Sequence, residues 1–302
     1  EAAPALARAG FTHLHLANNH IIDYGTAGLA NTIDALRSKG IVPLGVGESP
    51  DSASRTVVSE VKGFQVGWLA CGRTLHKQEE GDVSYWEYAA NELLSAVQRQ
   101  PQSVDLLIVS LHIGLMYLDY PDPAYRDLAH QLTAAGADLV LMHHAHVLQG
   151  VEFFDDKIIA YCLGNALWDW QEGHVSSDIM VQERQESAIF VIDWSPNGVS
   201  QVTAIPIYID EQMCVQWAAG ARGQRILARL ERLSRDLSTG YEAAFAEQRA
   251  SRNMGHSFKV IGHYLKQGQL GVIAGELARI RPAHLRLLLR YAKERVRRPK
   301  NV

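Results

Sequence analysis

Three histidines, His143, His144 and His146, stand within four residues, directly after the apolar run Leu139, Val140, Leu141 and Met142. Neutral imidazole is the commonest metal-ligating side chain, and a His-x-His spacing sets two rings at one strand mouth. Four such apolar residues predict a short buried strand. Open α/β sheets place their ligands at strand ends. The plainer alternative is a polar loop whose rings satisfy backbone groups. Three histidines this close after an apolar strand point instead to a metal.

Other strand ends carry side chains of the same chemistry. The alternating stretch FTHLHLAN (11–18) predicts a strand that delivers Asn18, Asn19 and His20, with Asp23 a turn later. VDLLIVSLH (104–112) predicts a buried strand ending on His112. The strand ending near residue 163 runs into Gly164 and Asn165, with Asp169 close behind. Imidazole nitrogen and amide oxygen gathered at neighbouring strand ends suit Mn, Fe or Zn better than Ca or Mg. Cys71, Cys162 and Cys214 lie far apart with no CxxC pair, which argues against a thiolate zinc site or a disulfide framework. Cys71 and Cys162 fall in apolar runs and read as small buried hydrophobes.

The remaining candidates read as structural. His13 and His15 alternate on one face of the first strand, as core or sheet-surface residues do. His130 falls inside a predicted helix and packs there. His174, His256, His263 and His284 have no companion signal, and Trp168 and Trp170 are packing residues that could also wall a pocket. The chain has no strand–Gly-rich–helix nucleotide loop and no Gly-x-Ser-x-Gly elbow.

The elements that must hold these residues alternate. Residues 1–10 read as the end of a helix stopped by Gly10. Leu29, Ile33 and Leu36 give 26–39 a helical period with Gly40 as its stop. Residues 41–47 predict a short strand and turn, and 56–72 a hairpin turning at Lys62 and Gly63. Residues 73–88 read as a loop and 91–100 as a helix. Residues 123–135 read as a helix with Pro123 at its start and Gly136 at its stop. Hairpins follow at 150–165, turning at Asp155 and Asp156, and at 188–209. Strands, helices and hairpins in this order suit a layered α/β domain.

Composition sets broad limits. The chain has 302 residues, 47% hydrophobic and 21% charged, which is ordinary for a globular protein. It has no run of 18 apolar residues, so no segment reads as a bilayer-spanning helix. The net charge of −4 is unevenly spread: residues 221–302 hold 18 Lys+Arg and 6 Asp+Glu, giving +12. The preceding residues hold 11 and 27, giving −16. The segment 282–298 sets Leu285, Leu288, Leu289 and Ala292 on one face among dense arginines. It reads either as a solvated helix packed on the domain or as a contact for an anionic membrane surface or acidic polymer.

The stretches ANNHIIDYGTAGLANTIDALRSKGI, VSLHIG, DLAHQLTAAGADLVLMHHAHVLQGVE and KIIAYCLGN resemble the capsule-synthesis CapA/PgsA family of poly-γ-glutamate biosynthesis. That family is similar to the calcineurin-like metallophosphoesterases. The resemblance covers roughly 1–210 and implies a layered αββα sandwich of metallophosphoesterase type, N-terminally incomplete. A basic, mostly helical C-terminal extension, 211–302, would follow it. The resemblance implies that Asn19, His112, His144 and His146 hold divalent metal, two ions in the complete protein. It makes His20 a catalytic acid oriented by Asp23, and places Asn18, His143, Asn165 and Asp169 around the pocket. His143 stands where many phosphoesterases have glycine, which assigns it a supporting role. Ile113 and Met116 stand where the family tends to have Trp and Glu, and Ala145 where proline is common. The aspartates of the superfamily's first two motifs are expected upstream of Glu1, whose EAAPALARAG reads as a helix already under way.

The implied function is capsule or poly-γ-glutamate synthesis or export, with a metal-dependent, phosphoesterase-like hydrolase site. The alternative is a non-catalytic, metal-stabilised subunit of a membrane-bound polymer synthase. The implied partners are an anionic polymer or phosphoester and synthase subunits, with the basic tail on a membrane surface. No nucleic acid is expected. The implied location is the cell envelope.

Overall fold

The computed structural model of the chain describes residues 2–75, 83–100, 103–167, 182–196 and 198–252. The expectations for Trp168, Asp169, Trp170, His174, His256, His263, His284 and the segment 282–298 lie outside these residues.

Helix α1 (Ala2–Arg8) is followed by Gly10 at φ +88°, the left-handed conformation that ends a helix cheaply only at glycine. Strand β1 (His13–His15) is shorter than the alternation over 11–18 predicts. The backbone leaves the strand because the Asn18 N–H turns back to the Leu16 carbonyl at 2.7 Å. Helix α2 (Gly25–Arg37) buries Leu29, Ile33 and Leu36. Strand β2 (Val42–Leu44) pairs parallel with β1. Strand β3 (Val46–Gly47) and the short helix α3 (Pro50–Ala53) lead to the hairpin β4 (Val57–Val61) and β5 (Phe64–Gly72). Within the expected loop 73–88 lies β6 (Ser84–Tyr85), which pairs with β3.

Helix α4 (Ala90–Gln98) precedes β7 (Leu106–His112). Helix α5 (Pro123–Ala135) starts where Asp122 accepts from the Ala124 N–H at 3.0 Å, with proline just inside. Strand β8 (Leu139–Met142) has the predicted bounds. Next come β9 (Val151–Phe154), β10 (Lys157–Ala160) and helix α6 (Gln182–Gln185). The hairpin β11 (Glu186–Ser195) and β12 (Gly198–Ile209), then β13 (Val215–Trp217) and helix α7 (Gly220–Thr239), complete the elements.

A mixed six-stranded sheet in the order β4-β5-β7-β8-β10-β9 is central. Its inner pairs are parallel and its two edge pairs antiparallel. On one face Val66, Ile108, Leu139 and Ile158 pack with Ile192, Val199 and Val202 of the antiparallel β11-β12-β13 sheet. Side chains alternate along a strand, so Leu107, Val109 and Leu111 point to the other face and are buried there. Helix α5 packs on β8 and α4 on α5, while α7 packs on β9, β11 and β12 through Ile226 and Leu230. Each fully buried aliphatic side chain contributes about 1.5–3 kcal/mol. The expected layering is therefore observed: sheet on sheet, with flanking helices.

The chain divides into two compact units, Glu1–Gly240 and Tyr241–Val302. The first unit extends past the boundary expected at 210, because β13 adds a third strand to the β11-β12 hairpin and α7 closes a core around Leu148 and Ala188. In the second, 242–252 is helical. Among the described residues no helix is long and apolar enough to cross a membrane.

Candidate metal centre

The parallel strands β7 and β8 end side by side, with Leu111 opposite Met142. The residue after each pair enters the site: His112 from β7 and His143 from β8. One close approach brings the third segment in. Gly72, at the end of β5, lies so near the chain leaving β1 that a Cβ there would stand 1.9 Å from the Ala17 carbonyl oxygen. It would also stand 2.9 Å from the His112 Cβ. Only glycine lets the Asn18–His20 turn sit down over β7.

That contact aligns three donor atoms. His112 Nε2 lies 2.8 Å from Asn19 Oδ1 and 3.3 Å from His144 Nδ1. His144 and His146 have φ of +82° and +58°, in a region that side chains other than glycine rarely adopt. Each such residue costs on the order of 1–3 kcal/mol, and strain of this kind collects at functional sites. The curled backbone buries Ala145 and sets the three rings in a row: the His112 and His144 rings are 5.1 Å apart, and those of His144 and His146 5.9 Å.

The surrounding groups fix the rings. Ser110 Oγ lies 2.8 Å from His15 Nδ1 and 3.1 Å from His143 Nε2, joining two histidines behind the front row. His15 also donates from Nε2 to the Ala17 carbonyl at 3.0 Å. Asn165 Oδ1 lies 2.9 Å from His146 Nδ1. At the rim, His20 Nδ1 meets Asp23 Oδ2 at 2.8 Å, and the His20 N–H donates to Asn18 Oδ1 at 2.9 Å. His13 stays away from this group: it stacks on Trp68 at 4.6 Å and bonds Ser59.

Burial, with repulsion from neighbouring rings, keeps His15, His112, His143 and His146 neutral. Burial, then the neighbouring His143, His144, His15 and His146, pull the His112 pKa down to about 2. Burial and His143 bring His15 to about 3, and burial alone brings His143 to about 4. His146 is lowered by burial too, with the Asn165 bond opposing and His20 and Arg184 assisting. Neutral imidazole is the form that ligates metal.

The donor chemistry fits one divalent ion in part. Two nitrogens about 2.05 Å from a tetrahedral zinc stand about 3.3 Å apart, which is the His112–His144 separation. Asn19 offers an amide oxygen beside them. Among the described residues, however, no group of three or more His, Cys, Asp or Glu side chains is placed to hold a metal ion.

The structure thus brings together Asn18, Asn19, His20, Asp23, His112, His143, His144, His146 and Asn165, and Asp169 lies outside the described residues. Ser110, Tyr117 and Arg184 were not anticipated. Ser110 carried a signal, as a lone polar residue in a buried apolar strand. Tyr117 and Arg184 carried none.

Sheet, strand ends and histidine cluster together describe a mixed α/β protein with a candidate metal centre at the ends of parallel strands. The profile of a family described as "Bacterial capsule synthesis protein PGA_cap" matches residues 1–169, more than half of the chain, and the chain belongs to that family. It is 31% identical over 218 residues to "Capsule biosynthesis protein CapA" of Bacillus anthracis, covering 70% of this chain and 51% of the relative. It is 28% identical over 224 residues to "PGA biosynthesis protein CapA" of Bacillus subtilis, covering 70% and 54%. The chain spans about half the length of these relatives. Among solved structures, a Haemophilus influenzae NAD nucleotidase aligns at 15% identity with a TM-score of 0.39, covering 81% of this chain and 52% of that one. A likeness that low carries no argument.

Proposed function

We propose that this chain carries the metal-binding centre of a protein of capsule or poly-γ-glutamate synthesis, and that the centre is a phosphoesterase-like hydrolase. The observation that carries the reading is that Asn19 Oδ1 and His144 Nδ1 both lie within 3.3 Å of His112 Nε2, with the His20–Asp23 pair at the rim. His112, His144, His146 and Asn19 would hold divalent metal. A bound ion supplies Lewis-acid chemistry, polarising a phosphoryl oxygen and easing deprotonation of water.

The chain's own groups do the rest. Ser110 and His143 hold the ring array from behind, and Asn165 sets the His146 ring so that Nε2 is the atom turned to chemistry. Asp23 accepts from His20 Nδ1, which orients the ring and leaves Nε2 to hand a proton to a leaving oxygen. The capsule role rests on family membership. The cell envelope, an anionic polymer substrate and partner subunits follow from it as part of the same proposal.

One observation favours a second reading, a non-catalytic subunit that keeps the metal as a structural element. The donors that converge are all neutral, with no carboxylate completing the group among the described residues. One assay decides between the two. The protein is incubated with Mn²⁺ and a chromogenic phosphodiester, alongside His112→Ala and His144→Ala. Metal-dependent turnover that both substitutions reduce at least about 100-fold supports the hydrolase. A folded protein that binds metal and turns nothing over supports the subunit.

A further inference from the structure

Arg184 stands beside the histidines, and among the described residues no carboxylate pairs with it. Its guanidinium carbon lies 3.6 Å from the centroid of the Tyr117 ring, and that ring lies 6.0 Å from the ring of His146. Asn165 ties the arrangement together. Its Nδ2 donates to the Arg184 carbonyl at 2.9 Å and to the His146 carbonyl at 3.2 Å, while its Oδ1 meets His146 Nδ1. One amide side chain therefore fixes Arg184 relative to the candidate metal ligand. Tyr117 is itself held at φ +63° by an N–H bond of 2.7 Å to the Ala145 carbonyl, between His144 and His146.

Several other arginines of this unit meet carboxylates. Arg126 meets Glu152, Arg225 meets Glu186, Arg229 meets Asp119 and Arg232 meets Asp236. Among the described residues the Arg184 guanidinium meets the Tyr117 ring and no carboxylate, and its buried Nη1 has no hydrogen-bond partner there. A buried donor left unmet costs about 1–3 kcal/mol. The contact with the Tyr117 ring holds one face of the guanidinium and leaves N–H groups at its edge to meet a ligand. Those N–H groups form a fork that matches two oxygens of a carboxylate or a phosphate.

We infer that Arg184, on its Tyr117 platform, is an anion-binding subsite that grips an oxyanion of the substrate, carboxylate or phosphate, next to His146. The inference deepens the hydrolase reading by giving the site a negatively charged substrate class. Its physical basis needs no metal, so the two can fail separately.

The test uses the full chain, stripped of metal with EDTA and dialysed. Calorimetric titrations with inorganic phosphate and with γ-glutamylglutamate are run on the wild type, Arg184→Gln, Arg184→Lys and Arg222→Gln. Arg222 serves as a control because it also stacks on a tyrosine, Tyr208 at 3.9 Å. The expected result is saturable binding that weakens at least about tenfold in Arg184→Gln, recovers in part in Arg184→Lys and is unchanged in Arg222→Gln. Phosphate alone obeying this pattern assigns the subsite to phosphoesters. The dipeptide alone obeying it assigns the subsite to carboxylates. No saturable binding to the wild type, or equal binding by wild type and Arg184→Gln, overturns the inference. A parallel zinc titration separates the two proposals: anion binding intact without zinc binding removes the metal centre and leaves the subsite standing.

Discussion

Two polar clusters sit on the same central sheet, and both contain histidine. Around Glu152 on β9, Arg126 donates to Oε1 at 2.6 Å, His130 Nε2 lies 3.0 Å from Oε2, and Tyr161 donates to Oε2 at 2.6 Å. His130 also stacks on Phe154 at 3.9 Å. Burial alone would raise the Glu152 pKa, yet bonds from Arg126, Tyr161 and His130 hold it below the usual carboxylate range. Every group there has met an opposite or complementary one. At the ends of β7 and β8 the reverse holds: imidazoles crowd imidazoles, and neighbouring backbone is strained. The cluster with its charges closed builds the fold, and the one with donors turned toward each other suits a ligand. A histidine's meaning lies in what stands opposite it.

The largest effect expected from this contrast is on stability. Glu152→Ala leaves Arg126 without its carboxylate in a largely buried place, and should cost about 3–5 kcal/mol in urea unfolding. His112→Ala relieves a crowded ring and should change the metal-free protein by under about 1 kcal/mol while removing metal binding. The reverse ranking would break the comparison.

Gly72→Ala comes next. Its methyl group must displace the Ala17 carbonyl, and with it the turn carrying Asn19. A loss of about 1–3 kcal/mol is expected, together with weaker metal binding in calorimetry. An unchanged metal affinity would show that Asn19 does not need this approach.

A third effect is with pH. His15, His112 and His143 titrate in the fold at about 3, 2 and 4, whereas an unfolded histidine takes up its proton near 6.5. Between these limits the unfolded chain binds more protons, so stability is full above about pH 6.5 and declines as the pH falls. Each group contributes at most about 1.4 kcal/mol per pH unit. Glu152 acts in a lower window. Its folded pKa is depressed, so its contribution is present above the ordinary value of 4.5 and is lost as the pH falls through the folded value. Thermal melts of the metal-free protein from pH 7.5 to 5 should therefore decline before Glu152 titrates. A flat profile over that range would mean the rings are not buried as neutral bases.

Much of this was legible in the chain. Period and punctuation placed α5 and β8 to the residue, because proline, glycine and an apolar run each act locally. Four strand ends bearing His and Asn pointed to one site, since strand ends are where side chains leave the core. Other features were not legible. His130 read as a packing residue, yet its ring bonds a glutamate that lies 22 positions away in the chain. The three exposed residues of β13 are marked in the chain by nothing but the strand they pair with.

The opening histidines show the division most plainly. Their types and spacing determined that imidazoles would stand at the mouth of β8, because a four-residue apolar strand can end nowhere else. Tertiary structure decided which ring faces which. The Gly72 approach brings Asn19 to His112, and the left-handed turn at His144 brings that ring to it as well. Asn165 brings Arg184 beside His146 from a segment 38 positions further along the chain. Distance along the sequence carries no signal of such meetings, because packing and backbone strain across distant segments are properties of the folded whole.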